Sequence, residues 1–222
     1  MELEDNYLCP PKSFGGFYIA AIIYLCYHLI MINKKLFQKL RTAHQHYGSA
    51  RGVIIRQSNA ALHKSKQAIF SLHRDQILEA EKRLTEAEEI FAKLKPFFLK
   101  GPNLKYEGAY KAALEEYLEA KLFWQILKFG RLKGVTKIKV GFDSYLAALG
   151  DLTGEMNRKI ILFATEGKIK RAEELKEIIA DIVSELIKLD LTGYLRHKFD
   201  DAKRNLKKAE EIIYDLKVRK TK

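Results

Sequence analysis

The chain has 222 residues, of which 47% are hydrophobic and 31% charged, so it is long enough for one or two domains and can bury a core. Its four prolines, thirteen glycines and two cysteines exclude a collagen, a proline-rich linker and a disulfide scaffold. Forty Lys and Arg against twenty-eight Asp and Glu give a net charge of +12, which points to nucleic acid or an anionic membrane surface as a partner.

The first element is an apolar run at residues 15–32, GGFYIAAIIYLCYHLIMI. Its length lies near the lower edge of the about 17–25 residues that span a bilayer, and a basic flank follows it at Lys34 and Lys35, as is typical of a membrane anchor. A signal peptide fits poorly, because acidic residues precede the run and no small-residue cleavage site follows it. In a third interpretation the natural protein starts at Met31, which leaves a net charge of +14 on the remaining chain.

We therefore treat residues 1–32 as a separate apolar segment and residues 33–222 as the predicted helical domain. Both cysteines, Cys9 and Cys26, lie in the first segment. A domain without cysteine needs no oxidising compartment. We expect a cytoplasmic protein, with membrane anchoring as the alternative if residues 15–32 are translated.

From Asn33 onward, apolar residues recur at the three- and four-residue spacings of amphipathic helices. The pattern predicts helices over residues 53–73, 75–94, 106–128, 143–165, 168–191 and 195–217. Pro96 is expected to end the second helix, and the basic, glycine-rich connector at 130–141 to form a short hairpin or a loop. The predicted fold is all-α, a single bundle of about six or seven long antiparallel helices.

Two pairs of carboxylates stand out on the predicted helices over 106–128 and 143–165. Glu116 and Glu119 lie three residues apart on a face that is otherwise apolar, while Asp151 and Glu155 lie one turn apart on one face. A buried carboxylate needs a metal, another cation or a basic side chain. A carboxylate on the rim of such a face reaches water instead, and both alternatives stay open at this point.

If these two helices pack side by side, the four carboxylates converge into an oxygen-rich cluster. Such a cluster suits Mg²⁺ or Mn²⁺, which neutralise charge and activate water in phosphoryl transfer. Gly154, between the two acids of the later helix, is expected to let a neighbouring backbone or a substrate approach closely. The six histidines form no organised cluster on one helix, so a metal site built from them is not expected.

Four sequence blocks resemble the translin family, namely SKQAIFSLHR at 65–74, EEYLEA at 115–120, GDLTGEMNR at 150–158 and AEEIIYDLKVR at 209–219. The similarity extends over about residues 50–218. Within the family, the second and third blocks resemble translin-associated factor X (the Trax type) more than translin. The extra apolar segment at 1–32 precedes the similar region.

This resemblance implies a seven-helix bundle that assembles into a hollow octamer with nucleic acid inside. It implies, for a Trax-type subunit, a metal-dependent endoribonuclease acting on single-stranded RNA, with Mg²⁺ or Mn²⁺ as the cofactor. The catalytic and metal-binding positions of the family correspond to Glu116, Glu119, Asp151 and Glu155.

The chain departs from the family in the stretch LKYEGAYK at 104–111, where Glu107 and Gly108 stand at positions of an expected His- or Arg-containing RNA-contact motif. Basic candidates for nucleic-acid binding lie elsewhere, at Lys66, His73, Arg74 and Arg158. Each of them is alternatively a solvated side chain.

The leading functional hypothesis is therefore a homo-oligomeric, Mg²⁺-dependent endoribonuclease that binds single-stranded RNA. The alternative is a translin-like protein that binds single-stranded DNA or RNA without cleaving it. The carboxylates discriminate between the two, because acids beside a phosphate backbone weaken binding unless a cation intervenes. A membrane-tethered helical protein is a third hypothesis, which depends on residues 15–32.

Overall fold

The structure is a computed structural model that describes residues 33–220. The apolar run at residues 15–32 and its three interpretations lie outside the described residues. Between residues 33 and 220, no helix is both long and apolar enough to cross a membrane.

Six α-helices follow one another in the described part of the chain. Their bounds are α1 Lys34–His73, α2 Ile77–Lys100, α3 Gly108–Phe129, α4 Phe142–Thr165, α5 Ile169–Leu186 and α6 Gly193–Lys220, and a 3₁₀ helix, Pro102–Tyr106, lies between α2 and α3. Residues 33–220 contain no β-strand, and the connector at 130–141 is a loop. The all-α expectation is confirmed.

The chain divides into two compact units, Met1–Gly48 and Ser49–Lys222. In the first unit, the described residues 33–48 have exposed side chains and are helical from Lys34 onward. Asn33 caps this helix, because its side-chain oxygen accepts a hydrogen bond from the backbone N–H of Leu36 at 3.0 Å.

The second unit contains the core, and α3 is its most enclosed helix. α3 packs against α2 and α4, and α4 packs in turn against α5 and α6. Tyr117, Leu118, Leu122 and Phe123 of α3 are fully buried, and burying an apolar side chain of this size stabilises a fold by about 1.5–3 kcal/mol. α3 ends at Gly130, whose φ of 68° is the left-handed conformation that glycine adopts without strain.

The prediction that Pro96 ends α2 is wrong, because the helix continues through it to Lys100. A proline inside a helix removes one hydrogen bond and costs about 3 kcal/mol. The turn that follows Pro96 places Phe97 and Phe98 against a small buried cluster that includes Ile54 and Leu104. The apolar contacts of these two rings offset the cost of the proline.

Glu88 of α2 joins three segments of the second unit. Its carboxylate accepts hydrogen bonds from Tyr117 Oη at 2.7 Å, Lys121 Nζ at 2.9 Å and Lys137 Nζ at 2.7 Å. Burial of Glu88 opposes ionisation, but the two lysines and the phenol outweigh it and lower the pKa of the carboxyl. The cluster ties α2 to α3 and to the loop before α4.

Candidate functional site

Helix α3 supplies the first two carboxylates of the site. Glu119 is only 9% exposed, whereas the Glu116 side chain, one turn earlier, is 20% exposed. The predicted apolar face with two acids is thus shielded from solvent at Glu119 and partly accessible to solvent at Glu116. Of the two alternatives drawn from the sequence, Glu119 is the buried carboxylate and Glu116 the one that reaches solvent.

Helix α4 packs beside α3 and places Asp151 and Glu155 close enough to Glu119 for their charges to act on its carboxyl. The pKa of Glu119 is raised to about 9, first by burial and then by the negative charges of Glu116, Asp151 and Glu155. Burial likewise raises the pKa of Glu116, although the Lys66 ammonium works against it. The four acids that the sequence singles out therefore lie close enough to repel one another.

Lys198 of α6 is the main basic partner within this cluster. Its Nζ donates to both carboxylate oxygens of Asp151, each at 2.7 Å. Burial, the largest single influence, would lower the pKa of Lys198, but the hydrogen bonds and charge of Asp151 and the contact with Tyr194 together outweigh it and raise the pKa. A lysine held in this way remains charged and neutralises one of the four acids.

Sequence reasoning missed Lys198, because 47 residues separate it from Asp151 in the chain. One local signal was present, in Gly150. A Cβ at this position would lie 3.0 Å from the carbonyl oxygen and from Cβ of Lys198, so only glycine lets α6 approach α4 here. The close approach expected at Gly154 thus occurs one turn earlier, since a Cβ on Gly154 would meet Asn205 at an ordinary 3.5 Å.

His73, predicted as a nucleic-acid contact, is buried behind the carboxylates at the end of α1. Its Nε2 is hydrogen-bonded to Glu155 Oε2, and its ring packs against Phe123 with centroids 5.2 Å apart. Its Nδ1 is buried without a hydrogen-bond partner. In this arrangement His73 orients Glu155 from the protein interior.

A fully buried lysine, Lys159 of α4, holds the end of α1 in place. Its Nζ donates to the backbone carbonyl of His73 at 3.1 Å and to Asp75 Oδ1 at 2.8 Å. Asp75 has a φ of 59°, a left-handed conformation that is strained for a residue other than glycine. The charged contact stabilises this turn and, with it, the position of His73 next to Glu155.

The other predicted basic residues lie at different distances from the acids. Lys66 Nζ is 3.7 Å from Glu116 Oε2 and its side chain is 53% exposed. Arg158 lies 3.8 Å from Glu155 Oε2, and its guanidinium stands 5.3 Å from the ring centroid of the exposed Phe70. Arg74 is exposed in the turn after α1, and no side-chain ion pair reaches it from the described residues.

The stretch that departs from the expected RNA-contact motif has a structural role. Glu107 accepts a hydrogen bond from Arg51 Nε at 2.7 Å, which links the start of α3 to α1. Glu107 therefore joins two helices within the second unit.

The side chains around Glu119 decide whether the site suits a divalent cation. As they stand, no three His, Cys, Asp or Glu side chains between residues 33 and 220 form a metal-binding group. Asp151, Glu116 and Glu155 are instead engaged by Lys198, Lys66 and His73 respectively. Glu119 differs from them, because within the described chain no hydrogen bond or ion pair reaches its carboxylate, and buried carboxylates normally have such partners. Three carboxylates around a fourth that lacks a hydrogen-bonded or ion-paired partner supply the hard oxygen ligands that Mg²⁺ and Mn²⁺ select.

One family model and several solved structures match this chain. The family model described as "Translin family" matches residues 49–220. The crystal structure of apo-NeC3PO is similar at a TM-score of 0.75 and 24% identity, over 84% of this chain and 98% of that chain. The structure of the AfC3PO–duplex RNA complex is similar at a TM-score of 0.76 and 22% identity, over 82% of this chain and 97% of that chain. The crystal structure of AfC3PO is similar at a TM-score of 0.77 and 22% identity, over 84% of this chain and 99% of that chain. No curated protein sequence matches the chain.

Proposed function

The chain belongs to the translin family, and we propose that it is a Trax-like, metal-dependent endoribonuclease that cleaves single-stranded RNA. The observation that supports this best is Glu119, a buried carboxylate surrounded by three further acids, with a pKa raised to about 9. A protein that only binds nucleic acid has no use for such a cluster, because it repels phosphate. Clusters of mutually perturbed acids are typical of catalytic sites.

Two observations support RNA as the ligand. The net charge of +12 favours a polyanion, and AfC3PO, which has the same fold, was solved with duplex RNA. Lys66 and Arg158 are exposed at the edge of the acid cluster, where they can contact phosphates on either side of the reacting one. Single-stranded DNA is a further candidate ligand, since these contacts read the backbone and no base.

In the proposed mechanism, Glu116, Glu119, Asp151 and Glu155 would hold Mg²⁺ or Mn²⁺. A bound ion of this kind supplies positive charge for the scissile phosphate and makes water more acidic. The protein's part is to fix the acids: Lys198 orients Asp151 and His73 orients Glu155. The exposed Lys66 can leave Glu116 for a phosphate oxygen, because a salt bridge this open is worth only about 0–1 kcal/mol.

The test is a cleavage assay on labelled single-stranded RNA with Mg²⁺, Mn²⁺ and EDTA. Wild type should cleave with either ion and stop in EDTA. Glu119→Gln and Asp151→Asn should each slow cleavage by about 100-fold or more, because each removes a ligand charge while keeping size. RNA binding in the absence of metal should stay equal in Glu119→Gln, because a carboxyl with a pKa of about 9 carries a proton at neutral pH. It should tighten slightly in Asp151→Asn, since one charge less repels the backbone.

The matched control is Glu89→Gln, which neutralises an exposed acid on α2. It should leave cleavage, binding and melting temperature unchanged. Wild-type cleavage rates in both Glu119→Gln and Asp151→Asn would remove the acids from the mechanism. Cleavage that persists in EDTA would remove the metal.

A second candidate function is binding of single-stranded nucleic acid without cleavage. It is favoured by the basic partners that already engage Asp151, Glu116 and Glu155, because such pairs also occur as purely structural contacts. On this alternative no ion condition yields cleavage, and Asp151→Asn lowers the melting temperature by leaving Lys198 half-buried without its partner.

A further inference from the structure

A large cavity lies in the second unit, apart from the four acids. It has a volume of about 820 Å³ and is bounded by the end of α2, the 3₁₀ helix, the first turns of α3 and the loop before α4. Ligand sites in proteins commonly measure about 300–1,000 Å³. This cavity is therefore large enough for a nucleotide.

Aromatic rings form much of its wall. Tyr110 packs against Phe91 with ring centroids 5.8 Å apart, and against Phe98 at 4.7 Å. Tyr106 stands at the mouth and is 74% exposed. A flat, unsaturated ring system such as a nucleic-acid base can stack on faces of this kind.

The rim of the cavity is cationic. Lys95, Lys105 and Lys139 line it, and no carboxylate of the described chain forms an ion pair with any of the three. Lys105 lies over the Tyr106 ring at 4.8 Å. Asp143, the acid in the lining, is already paired with Lys111 at 2.8 Å. An aromatic wall below unpaired lysines fits a ligand with a flat body and a negative charge.

One tyrosine, Tyr194, lies next to a lysine of the cavity wall and next to the lysine that holds Asp151. Lys111, in the cavity wall, lies 5.7 Å from the ring centroid of Tyr194. Lys198, which holds Asp151, lies 5.2 Å from the same ring. A strand that runs from the acids over Tyr194 would thus pass two lysines, each held by an aspartate, before it reaches the cavity.

We propose that this cavity binds one unpaired nucleotide, whose base stacks on Tyr106 and Tyr110 and whose phosphate contacts the rim lysines. The proposal deepens the proposed function and rests on it for its role, which is to hold the RNA strand beside the carboxylates. A base inside a duplex cannot enter the cavity, because its stacked and paired faces are occupied. The cavity therefore selects single-stranded over duplex substrate.

The first experiment is calorimetric titration of the full chain with adenosine 5′-monophosphate, adenosine and inorganic phosphate. The monophosphate should bind at least tenfold more tightly than either part alone, because only it uses both wall and rim. Tyr106→Ala and Lys139→Glu should each weaken monophosphate binding about tenfold. Both side chains are exposed, so the fold should tolerate the changes.

Matched controls are Tyr214→Ala and Lys208→Glu, which change an exposed tyrosine and an exposed lysine of α6. They should leave monophosphate affinity unchanged. Equal effects of the control and the cavity variants would overturn the proposal, as would absence of monophosphate binding to wild type. Preferential binding of a long-chain fatty acid such as laurate would overturn it too, since an acyl chain needs no stacking faces.

The same variants separate this inference from the proposed function. Binding of the monophosphate needs neither a metal nor the acids, so Glu119→Gln should keep it. If wild type binds the monophosphate but cleaves no RNA with either ion, the endoribonuclease proposal fails while the nucleotide site stands. If wild type cleaves RNA and Tyr106→Ala keeps its full preference for single-stranded over duplex RNA, the nucleotide site fails alone.

Discussion

Glu88 shows, at the scale of one residue, how a buried charge can contribute to stability. Its three hydrogen bonds come from Tyr117, Lys121 and Lys137. Glu88→Gln removes the charge while keeping the size, so the two ammonium groups lose their anion. We expect unfolding free energy at pH 7 to fall by about 1.5–3 kcal/mol, measured by urea titration.

The pH dependence of that difference has a definite sign. Because the folded-state pKa of Glu88 lies below its ordinary value of 4.5, the contribution is complete above about pH 4.5 and disappears as pH falls through the lowered pKa. Wild type and Glu88→Gln should therefore converge in stability in acid. Glu89→Gln, on the exposed neighbour, should match wild type throughout, and a constant gap for Glu88→Gln down to pH 2 would contradict this account.

Among the site residues, helical periodicity could place the acids but not their partners. The spacing of Glu116 and Glu119 and of Asp151 and Glu155 follows from 3.6 residues per turn, so each pair was visible in the sequence. Lys198 and His73 reach Asp151 and Glu155 across 47 and 82 residues. Such contacts depend on how helices cross, and the one local signal, Gly150, indicates a close approach without naming the residue that makes it.

At the scale of elements, two glycines of α4 provide a matched comparison. Gly150→Ala would place a Cβ 3.0 Å from the backbone oxygen of Lys198, so α6 must shift. We expect a loss of about 1–2 kcal/mol, because overpacking costs more than the gain of about 1 kcal/mol in helix propensity. Gly154→Ala meets only Asn205 at 3.5 Å and should be neutral or stabilising.

Thermal melting of Gly150→Ala and Gly154→Ala tests whether Gly150 sets the approach of α6 to α4. A melting temperature for Gly150→Ala at or above that of Gly154→Ala would mean that α6 yields easily at this crossing. In that case Gly150 would not be what sets the distance between Lys198 and Asp151.

The helices themselves were largely predictable, because each has an apolar stripe on a polar background. The positions at which the helices begin and end were less predictable. α2 passes through Pro96, where contacts of Phe97 and Phe98 with residues distant in sequence outweigh a local rule. α1 begins at Lys34, far ahead of the predicted residue 53, since residues 34–48 are helical without a buried face.

For the whole molecule, we expect self-association. Large apolar side chains are exposed in the described chain, among them Leu78 at 81%, Leu99 at 85% and Phe142 at 78%. Association of subunits would remove such side chains from water and is stabilised by their burial. Light scattering at micromolar concentration should give a mass several times the 25.7 kDa of one chain, and a monomeric mass would contradict the expectation.

Binding of single-stranded RNA should depend steeply on salt. With a net charge of +12, several phosphates are neutralised on binding, and the logarithm of affinity should fall by about 0.7 per phosphate for each tenfold rise in salt. Titrations between 50 and 200 mM KCl measure the slope. Lys66→Ala should reduce that slope by about one phosphate's share, whereas Lys208→Ala should not.

The enclosure of α3 has a consequence for how the site can respond to a ligand. Glu119 sits on a helix that is packed on nearly every side, so its backbone moves only when the core opens. Of the basic partners Lys66, His73 and Lys198, only Lys66 reaches well into solvent, whereas the other two are more enclosed. Exposed side chains change rotamer in picoseconds to nanoseconds. Lys66 can therefore give way to another positive charge at Glu116 without any helix changing its place.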